Sequence, residues 1–146
     1  MLKVIKNISI YTLLGVLFSF TIQEALNWNV LEYSVETDFV FNTKYGTWVE
    51  APIFSPSIQK YDGKSIVVKG YIIPGNAYEG KYYISKNPNA TCYFCTKSGV
   101  GTMIELDLKT HQEFNVDDFV TIKGVLHLDD DPTQMPYQLK LAEVVK

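Results

Sequence analysis

The chain has two cysteines, Cys92 and Cys95, three positions apart in the turn-rich stretch SKNPNATCYFCTKSGVGT, which runs from Ser85 to Thr102. Three chemistries fit this spacing. A C-x-x-C turn lets two thiolates grip one tetrahedral soft ion such as zinc, but it supplies only half of the ligands. His111, His127, a carboxylate or a second subunit would complete the set. Strand alternation sends His127 outward, which makes Cys92, Cys95 and His127 the candidate metal ligands. The second chemistry is thiol–disulfide exchange. A disulfide across so short a loop stabilises little, which points to reactivity rather than stapling. A thioredoxin-like site would open a helix beside a βαβ unit, and no such pattern is present; Thr96 stands where covalent haem attachment demands histidine. The third reading is inert packing of Cys92, Phe94 and Cys95 beneath the loop.

Other constellations are weaker. Tyr71, Tyr78, Tyr82, Tyr83 and Tyr93 cluster around the cysteine loop. Of these, Tyr71, Tyr82, Tyr83 and Tyr93 are the candidate lining of a groove that stacks a sugar or another planar ligand. Aromatic strand residues also serve simply to fill a core or cover an edge. Asp129, Asp130 and Asp131 could offer oxygen ligands to calcium, yet Pro132 and the lack of a glycine-centred loop favour a solvated hairpin turn. Asn89-Ala90-Thr91 matches a glycosylation acceptor, a frequent chance match. Glu105 and Asp107 share a strand face, but paired carboxylates need a cleft before they mean catalysis. No nucleophile elbow, P-loop, dinucleotide fingerprint or HExxH is present, so a non-catalytic module is expected.

The elements that would hold these residues follow from length and pattern. With 146 residues and 47% hydrophobic content, one core is expected. Net charge is -3 and every basic side chain is lysine, which argues against nucleic acid, whose recognition leans on arginine forks and a positive surface. Lys3 and Lys6 precede an apolar run over residues 8–20, the layout of a secretory signal or, if retained, of a membrane anchor through a hydrophobic N-terminal helix; a buried globular helix is the remaining alternative. No cysteine near the end of that run supports a lipoprotein modification. Losing Lys3 and Lys6 would take the net charge from -3 to -5. The chain therefore divides into 1–22, signal or anchor; 23–61, an irregular lead-in whose Trp28 and Trp48 pack on the body; and 62–146, a β domain that opens at the Asp62-Gly63 turn.

From Ser65 onward the pattern has period two. SIVVKGYII puts Ile66, Val68, Gly70 and Ile72 on one face, and KYYIS follows. GTMIELDL turns Ile104, Leu106 and Leu108 one way. FVTIKGVLHL turns Val120, Ile122, Leu126 and Leu128 inward, and YQLKLAEVV does the same with Tyr137, Leu139 and Leu141. Five strands with mid-strand glycines predict a mainly β fold, a small five-stranded antiparallel OB-like barrel, with a plain open meander as the second choice. The link KTHQEFNVDD, residues 109–118, is too short for the helix that usually joins the third and fourth strands of that fold.

The segments LNWNVL, PIFSPSIQKYDGKSIVVKGYIIP, YYISKNPNATCYFC and VTIKGVLHL resemble a family of small, uncharacterised exported bacterial domains, in which a DGK-V-x-GYIIP pattern precedes CxFC. Where such domains commonly have Gly-Pro after the cysteine pair, this chain has Gly99-Val100-Gly101. The resemblance implies a periplasmic or membrane-anchored location, an OB-like fold and a setting beside an envelope transport complex. The functional expectation is an exported binding module that handles a soft metal. The alternatives are a redox protein using the cysteine pair, or an anchored scaffold that docks through its aromatic lead-in.

Overall fold

A computed structural model describes residues 24–75, 80–89 and 99–145. The order is β1 (Glu24–Ala25), α1 (Trp28–Glu32), β2 (Val35–Asn42), β3 (Thr47–Phe54), α2 (Pro56–Gln59), β4 (Ser65–Pro74), β5 (Tyr82–Ser85), a 3₁₀ turn (Val100–Thr102), β6 (Met103–Leu108), β7 (Phe119–Leu128) and β8 (Tyr137–Val144). The five period-two segments are β4 to β8. They lie in the order β4-β5-β6-β8-β7, and β7 pairs back onto β4 to close the ring. The expectation of an all-antiparallel barrel is corrected at one seam, because β6 and β8 run parallel. A ring with an odd number of strands cannot alternate direction throughout, so closing five strands forces one parallel pair. The expected N-terminal helix over 1–22 lies outside the described residues.

The register explains the glycines. Phe119 faces Tyr71, Tyr71 faces Ser85, and Ser85 faces Met103. Continued through Pro136, the row returns to β7 at Asp129, whose N–H donates to the Pro136 carbonyl at 3.0 Å. One circuit thus advances ten residues along β7, roughly 33 Å of strand against five inter-strand steps of about 4.8 Å. Strands so steeply tilted must coil hard, and their backbones approach closely where they bend. A Cβ on Gly70 would sit 2.4 Å from the Ser85 carbonyl oxygen, and one on Gly124 would sit 2.7 Å from Leu139 Cγ and 2.8 Å from the Lys140 carbonyl.

Strand β8 carries a bulge opposite Gly124. Two steps along β7 (Lys123 to Val125) face three along β8 (Glu143 to Lys140), and β6 sees the same extra residue between Leu139 and Ala142. Leu141 occupies that extra position with φ +53° and is 61% exposed. The bulge corrects the expectation that Leu141 faces inward: parity flips there, and Ala142 enters the core instead.

The lead-in is part of the barrel's core. Leu31 of α1 and Ile58 of α2 are fully buried in the same cluster as Ile66, Ile122, Leu126 and Tyr137, with Leu31 against Gly101 just before β6 and Tyr137 at the start of β8. The Tyr137 hydroxyl donates to the Leu31 carbonyl at 2.9 Å, and its ring meets that of Phe54 at 5.8 Å. Short helices suit this plug because each starts at a defined cap: the Asn27 side chain accepts from the Asn29 N–H, and Ser55 precedes a helix that opens on Pro56. Asp62 accepts from the Leu128 N–H at 3.0 Å while Gly63, at φ +72°, donates to the Leu126 carbonyl, so the Asp-Gly turn ties the plug to β7. At the other end the 109–118 link is helix-free, as its length predicts, and Phe114 seals the barrel edge-on to Tyr82 at 5.2 Å.

The two tryptophans part company. Trp28 packs against the barrel and its indole N–H donates to the Lys69 carbonyl at 2.6 Å. Trp48 does not pack on the body: it is 65% exposed on β3 and meets Phe41 across the β2–β3 hairpin. That hairpin is regular over eight pairs, where the sequence suggests an irregular segment. Among the described residues, no helix is long and apolar enough to cross a membrane.

Candidate functional site

The loop that carries Cys92 and Cys95 joins β5 to β6, and its described ends are firmly held. The Lys86 N–H donates to the Thr102 carbonyl at 3.0 Å, extending the β5–β6 pairing by one step. Lys86 also reaches the Glu32 carboxylate, which fastens this step to α1. Asn87 donates to Ser85 Oγ at 3.1 Å. Asn89 then donates its N–H to Asp117 Oδ1 at 2.6 Å, which carries the chain from β5 toward the start of β7. Asp117 sits at φ +64°, in a turn whose neighbour Asp118 accepts from the Asn115 N–H at 2.8 Å, and it donates its own N–H to Ile72. On the returning side, Thr102 donates to the Gly99 carbonyl through both N–H and hydroxyl. Cys92, Tyr93 and Cys95 lie outside the described residues, as do Tyr78 and Thr91.

Beneath the held ends, the outer face of β4, β5 and β7 is aromatic. Tyr71 packs on Phe119 at 4.9 Å, and Phe119 is 63% exposed. Tyr83 sits one row on, opposite Ile73 and Glu105. Burial pushes the Tyr83 phenol above its ordinary value, the Glu105 charge adds to the rise, and Lys81 opposes it. Lys81 pairs with Glu105 at 3.8 Å. Tyr82 corrects the groove expectation: its parity is inward, it is 5% exposed, and it fills the barrel against Phe114. The face therefore comprises Tyr71, Tyr83 and Phe119. Phe119 was legible, because it is an apolar residue at the outward parity of Thr121 and Lys123.

No family model, curated protein or solved structure matches the chain.

The remaining candidates separate. His127 is outward and exposed on β7, as alternation predicts, with its Nδ1 3.8 Å from Asp62 Oδ1. It shares an outer row with Gln138 and, one strand further, Glu105, roughly 10 Å away across two strand spacings. His111 is exposed in the 109–118 link. Among the described residues no three histidine, cysteine, aspartate or glutamate side chains converge as a metal site. Two of the three aspartates are committed to the turn: Asp129 accepts from the Asp131 N–H and from Gln138 Nε2, while Asp131 accepts from the N–H and hydroxyl of Thr133. The Thr133 hydroxyl bond is the main reason that the Asp131 carboxyl titrates below its ordinary value. Glu105 is half-buried and points outward beside Lys81, and Asp107 pairs with Lys140 at 3.8 Å, so the two carboxylates are separately neutralised.

A polar groove of about 280 Å³ lies over the β8 bulge between Lys109, Lys123 and Glu143. Glu143 takes both lysines, at 3.5 and 2.9 Å, and the hydrogen bond from Lys123 is the main cause of its lowered carboxyl pKa. The groove thus holds two lysines against one carboxylate, and both ammonium groups already lean on Glu143.

Proposed function

We propose that the chain is an exported, non-catalytic binding module with an OB-like barrel, and that its β5–β6 loop takes a soft metal ion such as zinc through Cys92 and Cys95. His127 is the third ligand in this reading. The observation that carries it is the tethering of both loop ends over an aromatic outer face, which prepays part of the ordering cost of a short C-x-x-C turn. The strand order and ten-residue stagger support the OB-like assignment, a fold whose strand faces and loops commonly serve as binding surfaces. Export, and an accessory role beside an envelope transport complex, rest on the apolar N-terminal run and on the family resemblance.

The test is the native mass of the domain purified without reductant or chelator. The expected result is one added ion, absent after denaturation and absent from Cys92→Ser, with His127→Ala weakening its retention. A metal-free mass about two units light, the loss of two thiol hydrogens, replaces the metal reading with a Cys92–Cys95 disulfide.

A further inference from the structure

The β2–β3 hairpin changes character half-way along its length. Near its base, Val35 is buried and Phe54 packs on Tyr137, while Thr37, Glu50 and Pro52 lie beside the β7–β8 loop around Pro132, Met135 and Pro136. Further out the same face carries Phe39, which stands opposite Glu50, and then Phe41 opposite Trp48; the three aromatics are 66%, 53% and 65% exposed. The opposite face of this outer half carries Val40 and Val49. From residue 39 to 49 the only charge is Lys44, in the turn, with its ammonium 5.0 Å from the centre of the Tyr45 ring.

Those three aromatic side chains leave roughly 300–450 Å² of apolar surface in water, the size of the largest patch on a typical monomer, which is often functional. It is well short of the roughly 800 Å² per partner of a stable protein interface. A ribbon docked on a protein needs one apolar face; this one carries apolar side chains on both faces, with Tyr45 beside Lys44 in an otherwise polar turn, which suits a headgroup layer. Among the described residues β2 and β3 pair only with each other, so each keeps one open backbone edge. Unpaired backbone cannot enter hydrocarbon, which confines the ribbon to the headgroup region. Trp, Tyr and Phe beside a lysine with a long apolar stem is the composition that settles there.

Of the readings of the N-terminal run, retention as a membrane anchor is the one on which the proposal below rests, and it brings a bilayer to this place. The apolar run over residues 8–20 ends four residues before Glu24, a span of at most about 14 Å. The Glu24 carboxylate accepts from the Tyr61 hydroxyl at 3.0 Å, Tyr61 follows α2, and Ser57 of α2 hydrogen-bonds Ser34 at the hairpin's base at 2.7 Å. The run thus joins the body beside the root of the ribbon. We propose that the outer half of the β2–β3 hairpin, Phe39 to Val49, is a membrane-interface anchor that sinks its aromatic side chains among lipid headgroups. Asp38, Glu50 and Asp131, the last 4.0 Å from Lys44, outweigh the lysine's single charge, so the contact draws on the aromatic side chains and not on anionic lipid. The proposal stands apart from the cysteine loop, and either can fail alone.

The full chain with Trp28→Phe keeps Trp48 as its only tryptophan. Added to phosphatidylcholine vesicles, its emission should shift to the blue, be quenched more by bromines near the lipid carbonyls than by bromines at the chain ends, and stay unchanged in high salt. Phe39→Ser with Phe41→Ser should remove the shift. If Trp28→Phe fails to fold, fluorotryptophan resonances of the unaltered chain, broadened by spin-labelled lipid, give the same reading. The proposal is overturned by a Trp48 that stays open to iodide while the chain floats with vesicles, or by a chain that does not bind them. Concentration-dependent shielding of Trp48 without lipid also overturns it and makes a second copy the occupant.

Discussion

Tyr137 joins the first described helix to the last strand through one hydroxyl. Its phenol is fully buried, and that burial pushes it far above the ordinary tyrosine value of 10. The unfolded chain therefore ionises first as pH rises. Stability from this group is complete below about pH 10 and is lost progressively above it. Tyr137→Phe should cost about 1–2 kcal/mol in urea melts at neutral pH, since the Leu31 carbonyl loses its donor. It should also flatten the alkaline decline; a slope equal to that of the parent chain would discount the burial argument. The inward parity of Tyr137 was legible in YQLKLAEVV, and so was the outward parity of His127. The Leu31 partner was not, because it lies 106 residues away and alternation carries no information about which distant carbonyl a buried hydroxyl will meet. The same limit hid Asp117 as the tether of the cysteine loop, while the groove reading of Tyr82 failed on parity that the sequence already contained.

At the scale of elements, the bulge in β8 is the feature that alternation misreads. A period-two pattern assumes one residue per step, and the extra residue at Leu141 breaks it without any glycine or proline to mark the place. The price is a non-glycine residue in the left-handed region. Leu141→Asn, which tolerates that region, should raise the urea midpoint by the equivalent of about 0.5 kcal/mol, whereas branched Leu141→Val should lower stability by about 1 kcal/mol. Equal stability for all three would mean that the bulge relaxes to another register. The five barrel strands themselves were legible almost to their ends, since each is half-buried and amphipathic. The β2–β3 hairpin was not: its outer half is apolar on both faces, so no alternation separates inside from outside.

For the molecule as a whole, the boundary suggested at residue 61 divides the chain by pattern but not by packing, because Leu26, Leu31, Val35 and Ile58 belong to the same buried cluster as the barrel. A chain beginning at Asp62 should bind a hydrophobic dye and melt without a sharp transition; a cooperative melt would mean that the barrel closes without its plug. Closure was foreseen and its parallel seam was not, since strand count is local information while ring parity belongs to the complete circuit. The Tyr137–Leu31 bond and the β4–β7 seam also govern when the fold can close. The core cannot be completed until the start of β8 is available to meet a helix made 106 residues earlier. Contacts this distant form slowly, on the order of milliseconds to seconds. Under the export proposed above, in which the chain crosses a membrane as an extended thread, that delay is a gain, because the N-terminal plug has nothing to close upon until the barrel follows it through.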